Sequence, residues 1–542
     1  MGFVIGVPPF GVVNIQISSM RGAVVCYNFY LIVVRMGVTV YIRRLIHKKG
    51  NAVILRFLGL AVTFMCAGSA LALENFITRD GHRLLDGEQE FRFAGIHFPE
   101  MHRIENDAAG VCKYDPRGWG QHFQWPTEDE QENWVKAAVR TGHKAMRVYV
   151  LSVQQASDQA CDRQTHILAP AEPGGMPRLS EAAMVPYDRM IALSDKYGLR
   201  LILPFIDQWP WWGGREQLAA FYNEKPEDFY DTSSKTYAAY QSIIKQVLTR
   251  KNTFTGREYR DEKAIMAWET GNELKDTTED FLSKTAALIK SLDKNHLVVD
   301  GTYKAINDFA LADPNVDIIS NHYYENAGNL SPQTVRADLE AIGGKKAYLI
   351  GEFGLLDIER LQQIMDAAVN ENVNGAKTVG TFIWGGRGHR HNGGFYWHLE
   401  PANNKTYSYH LPGFKEGAHN QEMQVVDMVR LAAAQMNGEK KMAPLPVPEA
   451  PILRVIYRAD NIRWMGAPTG RSYRVERAEK IDGKWKVIGK NISDGKNKFD
   501  PNTDALFSDT DKLKKGKTYY YRVIAINESG ESSPSNIRSL TY

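Results

Sequence analysis

Between Asn75 and about Asn437, short runs that are apolar throughout alternate with longer stretches whose apolar positions recur every three or four residues. The short runs cover 91–98, 145–150, 200–206, 265–273, 296–302, 316–324, 346–354 and 378–386. They lack a polar alternate face, as expected of strands buried on both sides of a parallel sheet. The stretches 185–198, 281–295 and 359–372 carry the helical spacing instead. Strand and helix units repeated eight times predict a (β/α)8 TIM barrel, with long loops absorbing the extra length. The competing architecture, an open doubly wound sheet, is weakened because no glycine-rich phosphate-binding turn follows an early strand.

The pattern changes near the C-terminus. Residues 443–451 (APLPVPEAP) form a proline-rich, fairly stiff linker. Beyond it, 471–479, 484–489 and 518–527 alternate with period two between turn-formers, the pattern of a small all-β sandwich. Trp464, Leu513 and the stretch 519–536 resemble a fibronectin type III domain, an immunoglobulin-like sandwich. In that family an early Trp fills the core, and Tyr519 matches the corner tyrosine of the penultimate strand. The resemblance implies spacing or adhesion rather than chemistry.

The N-terminus reads as a leader. Arg43, Arg44, Lys48, Lys49 and Arg56 precede an apolar run, 57–72, that ends in Ala70-Leu71-Ala72, a small-x-small cleavage site. The run is short for a membrane-spanning helix, so cleavage is expected to leave no stable membrane insertion. A further apolar stretch, 23–34, lies upstream, and a signal that starts close to its own initiator would begin at Met36. The expected organisation is a leader with signal peptide at 1–72, a barrel at 73–440, a linker at 441–451 and a β-domain at 452–542. Export implies a secreted or periplasmic protein. Cleavage removes Cys26 and Cys66, and the remaining pair, Cys112 and Cys161, favours one disulfide in an oxidising compartment. Both lie after strand-like runs, so a bridge would staple two loops on the same face.

Composition narrows the partners. A net charge of +3 over 542 residues, without basic tracts interleaved with aromatics outside the N-terminus, argues against nucleic acid. Aromatic residues make up 11% of the chain, and tryptophans cluster in 207–214 (DQWPWWGG), which suits stacking on sugar rings.

Two apolar runs end in a carboxylate, at Glu273 and Glu352. A barrel strand that stops at a carboxylate delivers an acid to the C-terminal face, where barrels keep their chemistry. Two such acids can face each other across a sugar, one protonating the leaving oxygen while the other attacks the anomeric carbon. The plain alternative is a pair of salt-bridged surface groups.

Taken in order, Arg147, Asn272-Glu273, His322-Tyr323-Tyr324, Glu352 and Trp384 at successive strand ends resemble glycoside hydrolase family 5 of clan A, across essentially all of 75–437. The stretches 252–273 and 207–214 look most like its β-mannanase branch. The resemblance implies a retaining glycosidase with Glu273 as acid and base and Glu352 as nucleophile. For those tasks Glu273 needs a raised pKa and Glu352 a depressed one. Arg147 would hold Glu352 and Asn272 the 2-hydroxyl of the sugar; His322 and Tyr324 match the His-x-Tyr of the sixth strand, whose Tyr hydroxyl would orient the nucleophile, and Trp384 would floor the reacting sugar. The implied partner is a β-linked polysaccharide or oligosaccharide, and no cofactor is required. Leu274, His97 and the long stretch 385–400 depart from the branch pattern and keep an exo-acting β-mannosidase or a glucan- or xylan-directed enzyme open. A carbohydrate-binding protein on an inactive barrel is disfavoured because Glu273, Glu352 and Arg147 are all present. His97, Glu100, Asp207, Trp209, His389, His391 and Trp397 stand between substrate contact and loop packing. No metal is expected, because His389 and His391 have no matching ligand pair at zinc-like spacing.

Overall fold

Eight strands join in parallel into one sheet: β1 (Phe93–His97), β2 (Ala145–Arg147), β3 (Arg200–Pro204), β4 (Ile265–Glu269), β5 (Leu297–Asp300), β6 (Ile318–Tyr323), β7 (Ala347–Gly354) and β8 (Thr378–Trp384). The order around the sheet is β1-β8-β7-β6-β5-β4-β3-β2. Phe98 N donates to Arg147 O at 3.2 Å across the remaining seam, so the sheet curls into a nearly closed barrel. This computed structural model describes residues 27–34, 37–44, 73–106, 110–115, 122–325, 331–400, 405–406, 408–417, 421–496 and 504–542.

A helix follows each strand: α1 (Glu128–Arg140), α2 (Glu181–Tyr197), α3 (Lys235–Leu248), α4 (Glu279–Leu292), α5 (Asp308–Ala312), α6 (Pro332–Ile342), α7 (Ile358–Asn370) and α8 (Glu422–Met436). Their limits follow local chemistry. Ser180 caps α2 by accepting from Ala183 N, and Gly198 ends it in the left-handed conformation that a residue without Cβ takes at little cost. Every residue of β1–β8 is buried, which is why the strands read as continuous apolar runs. Inside the barrel Phe93, Ile202, Met266, Val299, Leu349 and Phe382 pack together. Ile77 and Leu84, from a three-stranded antiparallel sheet spanning 77–90, and Phe91 just after it plug its N-terminal mouth.

The fourth strand is shorter than its sequence run. It ends at Glu269, because at Gly271 the backbone passes so close to the β5 turn that a Cβ on Gly301 would lie 1.8 Å from Gly271 O. Beyond that bend Asn272 pairs with Asp207, and Glu273 takes a positive φ of 53°. A left-handed glutamate costs conformational energy, and such residues concentrate at functional sites. Cys112, after β1, and Cys161, after β2, form a disulfide with Cα atoms 5.5 Å apart, tying two loops at the C-terminal face.

At the C-terminus β9 (Ile452–Leu453) pairs with β10 (Trp464–Met465). A second antiparallel sheet contains β11 (Ser472–Ala478), β12 (Lys486–Ile492), β13 (Thr518–Asn527), β14 (Gly530–Glu531) and β15 (Arg538–Thr541). Trp464, Tyr473, Val475, Tyr521 and Val523 fill the core between them. The Tyr519 hydroxyl accepts from Lys514 N at 3.0 Å. Residues Leu71–Tyr542, barrel and β-module together, make one compact unit. A separate unit, Met1–Ala70, contains an antiparallel hairpin of Tyr27–Val34 with Gly37–Arg44. The expected signal run 57–72 and Met36 lie outside the described residues. Among the described residues no helix is long and apolar enough to cross a membrane.

Candidate active site

A buried arginine organises the C-terminal face. Arg147 closes β2, and its guanidinium forks onto Glu269 at the end of β4, with Nε 2.7 Å from Oε2 and Nη2 2.8 Å from Oε1. Its remaining donors reach Glu352 Oε1 at 2.5 Å and Asn272 Oδ1 at 2.9 Å. A fully buried guanidinium needs such partners, since burial of an unpaired charge costs several kcal/mol or more. One side chain thereby sets the positions of three others.

Glu352 is held on both oxygens. Its Oε1 also faces His97 Nδ1 at 3.0 Å, and its Oε2 accepts from the Tyr324 hydroxyl at 2.8 Å. Burial alone would push this carboxyl up. The electrostatic pull of His322 and Arg147, together with the His97 hydrogen bond, outweighs burial and holds it well below the usual carboxylate range. Burial also pushes the His97 imidazole down to about 4, so a neutral ring gives its one proton, at Nδ1, to an oxygen that can only accept.

Glu273 stands opposite. Its Oε2 accepts from Trp209 Nε1 at 2.6 Å, and its Oε1 lies 3.0 Å from His322 Nδ1. The same nitrogen is 3.6 Å from Glu352 Oε2, so His322 spans the two acids. Strand register places it there, because His322 of β6 pairs directly with Glu352 of β7. Gly351 keeps the space open, since a Cβ at that position would fall 2.6 Å from His322 Nε2. One oxygen of each glutamate and one His322 ring nitrogen lie within 4.8 Å of one another. Two carboxylates and an imidazole could also ligate a divalent cation, but Arg147 already brings a positive charge to within 2.5 Å of Glu352.

A further layer fixes Asn272. Its Nδ2 donates to Asp207 Oδ1 at 3.0 Å and approaches the Tyr149 hydroxyl at 3.3 Å, while that hydroxyl donates to Asp207 Oδ2 at 2.9 Å. Burial pushes Asp207 up to about 7 despite these bonds. Phe123, Tyr149, Val150, Trp212, Tyr324 and Trp384 form an apolar wall, with Trp211 packed against it. Trp384 pairs in register with His97, whose ring meets its edge at 4.9 Å.

The comparisons follow the same segment of chain. Residues 137–353 match the family model described as GH family 5 beta-mannosidase-like. That matched domain holds all of the cluster above except His97, Phe123 and Trp384. Over 202 residues the chain is 33% identical to mannan endo-1,4-beta-mannosidase F of Aspergillus clavatus, covering 31% of this chain and 44% of the relative. Over 140 residues it is 32% identical to mannan endo-1,4-beta-mannosidase 1 of Oryza sativa subsp. japonica, covering 23% of this chain and 32% of the relative. The chain therefore spans less than half the length of these curated relatives. The endo-1,4-beta-mannanase of Rhizomucor miehei superposes with a TM-score of 0.52 at 15% identity, over 67% of this chain and all of that one, which shows a shared barrel fold.

Of the residues singled out in the sequence, Arg147, Asn272, Glu273, His322, Tyr324, Glu352, His97, Trp209 and Asp207 converge on one cluster, with Trp384 at its rim. Other candidates go elsewhere. His389 is buried between Asn133 of α1 and Asp494 of the β-module, and His391 bonds Asp129 in the first turn of α1, so both are packing residues rather than cleft groups. Trp397 packs on His410 with ring centroids 4.2 Å apart, and Glu100 lies 3.5 Å from Arg387. Sequence reading missed Glu269 and Tyr149. A charged residue inside the all-buried run 265–269 was the available signal for Glu269, because a core arginine requires a core carboxylate.

Proposed function

We propose that the chain is a retaining glycoside hydrolase that cleaves β-1,4-linked mannan internally. The observation that carries this reading is the approach of Glu273 and Glu352, one oxygen of each within 4.8 Å with Arg147 clamped on Glu352. Such closeness suits double displacement, in which the carboxyls stand about 5–5.5 Å apart, better than inversion, which needs about 6.5–9.5 Å. Glu352, held ionised, attacks the anomeric carbon while Glu273 gives its proton to the departing glycosidic oxygen. Glu273 then takes a proton from water, whose oxygen displaces Glu352. Asn272, oriented by Asp207 and Tyr149, donates to the 2-hydroxyl. Tyr324, His97 and His322 hold the nucleophile, Trp209 orients the acid, and Trp384 floors the reacting sugar.

The mannanase names of the relatives support the substrate class. An exo-acting reading is favoured by one observation: His398 from the eighth loop pairs with Glu105 at 2.7 Å and stacks on Trp211 at 6.3 Å, reaching across one side of the barrel mouth. Product analysis on β-mannan, glucomannan, cellulose and xylan distinguishes these readings. Oligosaccharide ladders from mannans support internal cleavage, mannose alone supports the exo reading, and no product from any of the four overturns both.

The domain limits stand as proposed at 73–440, 441–451 and 452–542, with the last a fibronectin type III-like module. Its buried Trp464 and the Tyr519 corner hydrogen bond support that assignment. Export through the 1–72 leader is supported by the Cys112–Cys161 disulfide, a bond that persists in oxidising compartments.

A further inference from the structure

The described parts of the loop after β8, residues 385–400 and 408–417, have two different faces. One looks over the barrel mouth. Arg387 lies 3.5 Å from Glu100, His398 pairs with Glu105, and the His398 ring stacks on Trp211. Trp211 Nε1 in turn donates to the Tyr149 hydroxyl at 3.2 Å, which is bonded to Asp207 and Asn272. His398 is therefore three contacts away from the residue assigned to the sugar 2-hydroxyl.

The other face is gripped by the β-module. His389, 1% exposed, uses both ring nitrogens: Nδ1 lies 2.9 Å from Asn133 Oδ1 on α1 and Nε2 lies 3.2 Å from Asp494 Oδ2 on the module. Asn133 itself donates to Gly466 O of the module at 2.7 Å. Arg454 ties His391 O at 2.5 Å and Asp129 at 2.6 Å. At the loop's turn Gly393 is so close that a Cβ would come within 3.0 Å of Trp464 O, and Phe414 occupies the space where a Cβ on Gly495 would lie. Arg471 bonds Gly413 O. These contacts run along the loop, whereas a merely tethered module touches its neighbour through a linker.

We propose that the C-terminal β-module is a positioning element of the candidate active site: through His389 it holds residues 385–400 and 408–417 in place, so that His398 walls one side of the cleft and limits how many sugar units bind there. The module is thus part of the cleft's architecture rather than an appended spacer. This rests on the mannanase reading for its substrate, while the clamp itself is measurable without any substrate.

Gly466→Ala in the full chain tests it from the module side. The new methyl would lie 2.2 Å from His389 Nε2 and 2.1 Å from Asp494 Oδ2, displacing both, at a site with no substrate contact. Asp494→Asn is the milder companion, keeping the packing while removing the charge. Hydrogen–deuterium exchange over 387–398 should speed up by about tenfold or more in Gly466→Ala and less in Asp494→Asn, with the strands β1–β8 unchanged. KM for a manno-oligosaccharide of five or more units should fall about three- to tenfold, because the loosened wall no longer excludes the outer units, while kcat on an aryl β-mannoside stays within about twofold. Unchanged exchange over 387–398 in both variants overturns the clamp. Faster exchange with KM and kcat both unmoved overturns its role in the cleft. If the wild-type chain degrades no glycan, the mannanase reading fails on its own, and exchange still decides the clamp.

Discussion

Replacing Arg147 with lysine probes the centre of the site. The guanidinium makes four hydrogen bonds to oxygen, two to Glu269 and one each to Glu352 and Asn272. An ammonium in the same place is a point charge whose donors diverge, so it can serve Glu269 and not the whole set. The Glu269 pair is present in ground and transition states alike, and the rate depends on the other two bonds. At about 1.5–3 kcal/mol for each bond to a charged group, and allowing for partial relaxation, the loss is about 3 kcal/mol. That corresponds to about a hundredfold in kcat/KM. Glu352 also loses part of the attraction that holds its carboxyl low, so the acid limb of kcat/KM against pH should move upward by up to about one unit. Circular dichroism with a thermal melt checks that the variant is folded, and initial rates on a manno-oligosaccharide from pH 3 to 8 measure both quantities. A folded Arg147→Lys within about threefold of wild type, with an unmoved acid limb, would refute the assignment of Arg147 as the clamp on the nucleophile.

Glu352→Ala should lower kcat by about four orders of magnitude or more while still binding oligosaccharide, and added azide should restore turnover with an α-configured glycosyl azide as product. Loss of binding together with activity would count against the nucleophile role. Asp207 has a folded pKa raised to about 7, so its contribution to stability is full below the ordinary carboxylate value near 3.8 and is lost as pH rises through about 7. Melts of wild type and Asp207→Asn should therefore shift in the variant's favour between pH 4 and 7 and run parallel above. At about 1.4 kcal/mol per pH unit the change is at most about 4 kcal/mol, and a pH-independent difference would contradict the burial argument. Breaking Cys112–Cys161 by a double Ser substitution opens a crosslink across 49 residues of separation. The chain-entropy cost is about 4 kcal/mol, read as a lower Tm that reductant reproduces in wild type and does not change in the variant.

The barrel was legible because all eight strands are buried on both faces. Burial on both faces writes itself into sequence as uninterrupted apolar runs, and amphipathic helices write the 3.6 period. The ordered strand-end residues Arg147, Asn272, Glu273, His322, Glu352 and Trp384 could be found for the same reason, since each interrupts or ends such a run. Distances between strands have no counterpart in a one-dimensional pattern. Glu269 looked like one more strand residue until the fork onto Arg147 appeared, and Tyr149 looked like core until its hydroxyl was seen against Asp207 and Asn272.

The eighth loop marks the boundary most clearly. His389 and His391 are polar residues in a glycine-rich stretch, and by sequence they suit a cleft as well as a joint. Only the tertiary structure assigns them, because what a side chain does depends on which distant segment packs against it: Asn133 and Asp494 lie 256 and 105 residues away from His389. Local burial wrote the periodicities, the strand ends and the acids they deliver into the linear pattern. Closure of the barrel brought the two glutamates together, and docking of the β-module on the loop gave His389 its partners, since both are long-range packing events whose register no local pattern encodes.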